Sequence, residues 1–469
     1  MSSITAPTYD PTSTAQAMAQ KTTAAAQQML TNKTNAASAT SKALSSLSSA
    51  ISAFQSSLSS LTGVGKSMLA QSAKLSDTSI GTATAKPTAA AGSYSLKVDR
   101  LATASQISFT PSNTAPVKGT LTITLAASDG GTTPKPKSPA TASFPVDLST
   151  ANTDGDDVLS VREVAAAINN APQNGGKVSA GVVTVDGVPQ LVLTSKNTGA
   201  ANSIWVESSV DDLDKPEYDL GTSTEVTKAQ DALVFYGSTP ITSASNTFTN
   251  IDGVSMTFTR AQSASEAPFT LSVGGDNSGT VSNVQAFVDA YNKLKSAIDS
   301  LVDPGDAASG KAGGAFAHDA GVKTLQSRLV SLVRPAGGSS LASFGIVAAR
   351  DGTLTLDTTR LTKQLAISPT GLDQLIGSAS QASPTGVAGA LNSYLNTWSN
   401  SANGQLKGRS DATSKLQSEL TKRQTDLDAQ FDAAYQRYLK QFTDLQALQS
   451  RMNSNVSMFD ALFSNDKSN

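Results

Sequence analysis

The 469-residue chain contains no cysteine and a single histidine. No disulfide and no thiolate chemistry is available to it. One imidazole without cysteine also leaves no ligand set for a zinc site built from nitrogen and sulfur. Charged residues are scarce, at 15% against about 25% in ordinary globular chains. Lysine plus arginine number 35 and aspartate plus glutamate 37, a formal net charge of −2. That balance gives no global attraction to nucleic-acid phosphates. No apolar run approaches the roughly 18 residues needed to cross a bilayer. The opening residues, Met1 to Pro7, offer neither a basic n-region nor an apolar h-region. A Sec-type signal peptide is therefore not expected, and the chain either stays in the cytoplasm or leaves by a route without a cleaved signal. Aromatics are 5% of the residues, so a core must be built from small and aliphatic side chains.

Alanine, serine and threonine fill the gap, most heavily in the first 40 or so residues. Such a segment buries too little surface to offset its ordering entropy, and disorder in isolation is expected there. The pattern then changes. Leu44, Leu47, Ile51, Phe54, Leu58 and Leu61 are spaced alternately three and four apart, a heptad seam. Its stripe is narrow and requires a partner helix. A candidate lies at the far end, where about Ser414 to Phe463 holds no proline or glycine. There Phe431, Tyr435, Tyr438, Phe442 and Leu445 continue the alternation, which resumes after Gln449 as Met452, Val456, Phe459 and Phe463. At 1.5 Å per residue the helix spans about 75 Å, a length that favours a coiled coil over one globular helix. Gln449 is then a polar residue in the seam, able to set register.

Between about Gly81 and Gly279, β-branched runs alternate with Gly, Pro, Asn and Asp. Tyr94–Val98 and Leu121–Leu125 alternate at period two, and Asp186-Gly187 between Val182–Val185 and Leu191–Thr194 marks a hairpin. One helix interrupts, from Ser160 to Ala171. A helical stripe returns from Ser282, with Ser282 and Gln285 spaced for a capping box. It runs through Phe287, Tyr291 and Leu294 to Pro304, and a second helix carries Val322, Leu325 and Leu329. A short hairpin turns at Asp351-Gly352. The order predicts an α+β multidomain protein. Both chain ends form a helical coiled-coil stalk, and β-rich head domains are inserted between the stalk helices.

Several motifs invite a chemical reading. Gly63-Val64-Gly65-Lys66-Ser67 has the end of a phosphate loop, but Ser60 stands where the first glycine belongs and a helix precedes it. Asn152 to Glu163 places oxygen ligands at positions 1, 3, 5, 9 and 12 of a calcium loop. It begins with Asn, however, and carries Asp157 where the turn glycine belongs, while Ser160 and Glu163 suit a capping box. His318 neighbours Asp319 without any nucleophile motif, and Asp211, Asp212 and Asp214 read as solvated loop. No catalytic constellation, metal site or cofactor is expected, and the chain is not expected to be an enzyme.

The arrangement resembles the bacterial flagellar filament cap family, hook-associated protein 2 (FliD). Gly92–Val98 with Leu101, Ala102 and Gln106 is similar to that family's first head strand. Val161–Asn169, Val182, Leu191–Ser195 and Thr198-Gly199 resemble a module of flagellar hook and cap proteins. Ala229–Ala232, Ser245–Thr247 and Ile251–Val254 resemble the second head segment. Phe287-Val288-Asp289-Ala290-Tyr291-Asn292 is the most recognisable piece, and Gly345-Ile346, Asp351–Asp357, Leu361, Leu365 and Pro369 complete the set. The likeness runs in order along nearly the whole chain. It implies a terminal coiled-coil or disordered domain (1–43 and 435–469), a helical stalk (44–80 and 280–434), a β-rich head (81–118 and 228–279) and an outer α+β head (119–227).

The resemblance also implies a structural role. Copies would form a ring at the distal filament tip, retain exported flagellin and promote its folding and insertion. The chain would be secreted through the flagellar type III apparatus with an export chaperone, without nucleic acid or membrane insertion. Lack of cysteine suits an oxidising exterior. The expected oligomer or filament interface is Leu44, Leu47, Ile51, Phe54, Leu58, Leu61, Tyr435, Tyr438, Phe442, Leu445, Met452, Val456, Phe459 and Phe463. The alternative is an extracellular adhesin or fibre protein with coiled-coil ends, and adhesion to mucins is compatible with either.

Overall fold

The computed structural model describes residues 10–110, 119–155, 159–208, 220, 222–334 and 340–464, without the side chains of 460 and 462–464. The chain divides into two compact units, Leu69–Thr280 and, enclosing it in sequence, Met1–Met68 with Val281–Asn469. Helix α1 (Pro11–Thr62) opens the enclosing unit. Asp10 caps it, accepting from Thr12 N and Ser13 N, with Pro11 at the first helical position where no N–H is needed. Residues 11–43, expected to be disordered in isolation, are helical. Their buried face consists mainly of Ala15, Ala19 and Ala37, small side chains that permit close approach of a second helix, together with Leu30.

The inserted unit is built on two cores. Strands β1 (Ala70–Leu75), β2 (Gly81–Ala85), β3 (Gly92–Arg100) and β4 (Ala104–Thr110) lead out. β5 (Thr120–Leu125), β6 (Ala142–Asp147), helix α2 (Val161–Asn170), β7 (Val178–Val185), β8 (Val188–Thr198), β9 (Ile204–Ser208) and β10 (Thr222–Thr227) follow. β11 (Ala232–Tyr236), β12 (Thr239–Ser243), β13 (Thr247–Phe248), β14 (Val254–Phe258) and β15 (Phe269–Asp276) return. A five-stranded antiparallel sheet, β1-β15-β3-β11-β12, and a three-stranded one, β13-β14-β2, share a core that includes Leu96, Val98, Phe248, Phe258 and Phe269. The sheets β10-β4-β8-β7 and β6-β5-β9 share a second core with α2, around Ile123, Phe144, Ile168 and Leu193. The β7–β8 hairpin turns on Asp186 (φ 49°) and Gly187 (φ 81°), the paired left-handed conformation that suits a two-residue turn.

In the enclosing unit, α3 (Asn277–Val302), α4 (Ala320–Leu332), the hairpin β16 (Ile346–Ala348) with β17 (Leu354–Leu356), α5 (Thr358–Ile367), α6 (Gly371–Ile376), α7 (Gly386–Ser399) and α8 (Gln405–Ser464) complete the chain. α3 starts five residues before the predicted Ser282. Asp276 Oδ1 accepts from Gly279 N there, and Gln285 reaches forward to Asp289 instead of making a capping box. α8 also starts earlier than Ser414 and carries Gly408 inside it. Phe54 is buried in this unit, its ring 6.5 Å from Phe287 and 6.4 Å from Tyr291.

Candidate assembly interface

The two predicted seams lie against different parts of the protomer. Leu44, Leu47, Ile51, Phe54 and Leu58 are fully covered within the protomer, with Thr62 closing the stripe in place of the half-buried Leu61. Phe54 packs on α3, and Gln55 donates to Asn392 and accepts from Ser399 of α7. These side chains form a domain core. Tyr435 and Tyr438 lie elsewhere, opposite the start of α1, where Tyr438 lies beside Thr22.

α1 and α8 run antiparallel. Leu30 and Ala37 pack with Leu420 and Leu427, and Gln27 and Gln424 exchange two amide hydrogen bonds of 3.2 and 3.0 Å. Rising residue numbers on one helix thus meet falling numbers on the other. By Tyr438 the partner register has reached Thr22, and α1 begins at Pro11. α8 therefore continues past its partner's end. From Leu445 to Ser464 it extends by roughly 30 Å at 1.5 Å per residue. Tyr435, Tyr438 and Phe442 are half-buried, whereas Leu445, Met452, Val456 and Phe459 are exposed, Phe459 by 60%. Phe463 lies outside the described side chains. Two exposed residues escaped the sequence reading, Leu448 and Met458. Leu448 sits three after Leu445 and four before Met452, so the apolar stripe passes through it without a break at Gln449.

The root of α8 is clamped. Asp319 caps α4 through Val322 N at 3.0 Å and takes both guanidinium nitrogens of Arg409, whose charge lies 5.4 Å from the centre of the Trp398 ring. The Arg409 hydrogen bonds hold the Asp319 carboxyl below its ordinary pKa. His318 beside it is exposed.

The other motifs resolve into local structure. Gly63 caps α1, Gly65 takes φ 70°, and Ser67 Oγ and Met68 N (2.9 Å) bind the carboxylate of Asp373. Glu163 closes the capping box of α2: it accepts from the N and Oγ of both Thr153 and Ser160 at 2.6–2.9 Å. Those four donors hold its pKa at about 2. Residues 156–158 of the calcium-like stretch and the acidic group 211–214 lie outside the described residues. Among the described residues no cluster of His, Cys, Asp and Glu is arranged for a metal, and no helix is long and apolar enough to cross a membrane.

Two family models match, the flagellar hook-associated protein 2 N-terminus over residues 8–105 and its C-terminus over 229–454. The lateral flagellar hook-associated protein 2 of Vibrio parahaemolyticus is 31% identical over 390 residues, covering 81% of this chain and 83% of the relative. The chain belongs to the flagellar hook-associated protein 2 family. The Escherichia coli K12 member is 28% identical over 410 residues, covering 83% of each chain. The crystal structure of the flagellar cap protein FliD D1-D2-D3 domains from Escherichia coli superposes with a TM-score of 0.57 at 25% identity, over 79% of this chain and 99% of that one. The family is that of the filament cap, a structural component of the flagellum. The α+β architecture with a stalk of terminal helices and inserted β-rich heads agrees with that neighbour. Neither likeness favours the adhesin or fibre alternative.

Proposed function

We propose that copies of this chain assemble as a ring at the distal tip of the flagellar filament, where they retain exported flagellin and promote its folding and insertion, without enzymatic chemistry. The observation that carries this reading is the bare end of α8. Leu445, Leu448, Met452, Val456 and Phe459 form a continuous exposed stripe on a helix that has outrun its partner. A contiguous apolar surface of this kind marks an interaction site, because leaving it in water costs free energy that a second apolar face recovers. We assign the interface to this stripe, with Phe463 continuing it, and not to Leu44–Leu58. The chain reaches its site through the flagellar type III export apparatus with a chaperone. The four-part domain division stays with this reading: 1–43 with 435–469, 44–80 with 280–434, 81–118 with 228–279, and 119–227.

The test compares the mass of the purified full-length protein with that of a chain ending at Tyr435, and the motility of cells carrying each. Oligomers that disappear on truncation, together with loss of filament growth and leakage of flagellin into the medium, are expected. Full motility from the truncated chain overturns the reading.

A further inference from the structure

Strand edges expose unpaired N–H and C=O groups, and this protein covers half of one such edge with side chains. β7 is an outer strand of the sheet β10-β4-β8-β7. Backbone groups on a strand point alternately to either neighbour. Those of Val178 and Ala180 point away from β8 and are both occupied. Asn174 accepts from Val178 N (2.9 Å) and donates to Val178 O (2.9 Å), and Asn169 does the same for Ala180 (2.9 and 2.8 Å). Each amide thus imitates one residue of a missing strand. The next outward positions are Val182 and Thr184, for which no such partner occurs among the described residues. On the opposite edge, β10 carries Glu225 and a break in register, both obstacles to pairing. β7 has neither: Val178 to Val185 holds no charge and no proline. Its tip is apolar, with Val183 (50% exposed), Val185 (43%) and, across the turn, Val188 (44%) on one face.

We propose that the Val182–Thr184 edge pairs with the same edge of a second copy of this chain. The occupant follows from self-complementarity. An antiparallel pair centred on Val183 sets Val182 against the second copy's Thr184 and the reverse, which satisfies the outward groups of both residues in both copies. It also sets Val185 opposite Gly181, where a Cβ would meet nothing within 4 Å, so the larger side chain has room. The contact is two-fold and self-matching, and it joins copies in pairs without closing a ring. A three-residue edge buries far less than the roughly 1,000 Å² a free-standing interface needs. The pair therefore forms where copies are already concentrated.

The absence of cysteine makes the register directly testable. Val183→Cys, Val185→Cys and Val226→Cys are made singly in the full chain and oxidised under identical conditions. Two Val183 positions meet across the axis at a distance a disulfide spans, whereas two Val185 positions are four residues apart in register, about 14 Å. Covalent dimers should form about tenfold faster from Val183→Cys than from either other variant. Adding Thr184→Pro, which removes the outward N–H, should bring that rate down to the Val226→Cys level. Equal rates among the three, faster dimers from Val185→Cys, or no effect of Thr184→Pro in a chain with unchanged circular dichroism each overturn the proposal.

Discussion

The two apolar seams have the same spacing and opposite fates, and a pair of alanine substitutions separates them. Phe54 is 2% exposed and touches the rings of Phe287 and Tyr291. Phe54→Ala removes a buried aromatic from a packed core, a change that costs about 3–5 kcal/mol. At ~2–4 °C per kcal/mol for a unit of this size, the melting midpoint of the helical signal should fall by roughly 6–20 °C. Phe459 is 60% exposed, so Phe459→Ala should leave that midpoint in place, within about 0.5 kcal/mol. Its effect belongs to assembly. Burying the remaining three-fifths of a phenylalanine is worth ~1–2 kcal/mol per copy, a loss of about 5–30-fold in the association constant. Circular dichroism melts below the assembly concentration, paired with sedimentation across concentration, read the two effects separately. A comparable drop in midpoint for both variants would show that the end of α8 is covered within the protomer. An unchanged association constant for Phe459→Ala would remove it from the interface.

Three other outcomes are expected. Asp319→Ala should destabilise the helical unit by about 2 kcal/mol in urea melts, and Asp319→Asn, which retains the cap but loses the Arg409 charge pair, by about half as much. Because that carboxyl is held low in the folded state, its contribution is present above the ordinary carboxylate pKa and lost as pH falls. Glu163, held at about 2 instead of 4.5, likewise contributes fully above about pH 4.5 and progressively less toward pH 2; Trp205 fluorescence in a Trp398→Phe chain should report this loss, and Glu163→Gln should flatten it. Backbone amides of α8 from Leu420 to Ala434 should exchange at least about tenfold more slowly than those from Leu445 to Phe459 in the unassembled chain, and the second group should become protected on assembly.

Periodicity in the sequence revealed the helical faces, but it did not reveal what covers each one. The stripe at Leu44–Leu58 was legible as a seam, yet its cover comes from Phe287 and Tyr291, far away in sequence. α2 and its capping box were legible because Ser160 and Glu163 are local. The first turns of α1 were not, because their buried face is largely alanine, which a search for large apolar residues passes over. The start of α3 was misplaced because Ser282 and Gln285 imitate a cap, while the carboxylate that caps the helix, Asp276, ends a strand. α7 was missed for a similar reason. Gly386 and Gly389 resemble breakers, but a Cβ at Gly389 would lie 2.7 Å from Pro384, so the helix needs glycine where the chain crosses itself. On the last turns of α8 the spacing picked out Leu445, Met452, Val456 and Phe459, all of them exposed. Leu448 was overlooked because the seam was carried through Gln449 one residue later.

The composition of α1 grades its pairing with α8 along the helix. A partner face of Ala15, Ala19 and Ala37 allows the helices to approach closely, but each alanine buries little area, so the pair gains less per turn than a leucine seam would. Its larger residues lie toward the root: Leu30 packs with Leu420 and Leu427 there, and Arg409 anchors α8 to Asp319. The stabilisation is therefore graded, strong where α8 leaves the domain and weak where α1 begins. A uniform leucine seam would hold the two helices more tightly, but it would not reach the side chains of α8 that lie past the start of α1. An isolated α8 would pay the full entropic cost of ordering only on assembly. The small-residue partner lies between these extremes: it keeps α8 helical and in place while its last five turns remain open to another chain.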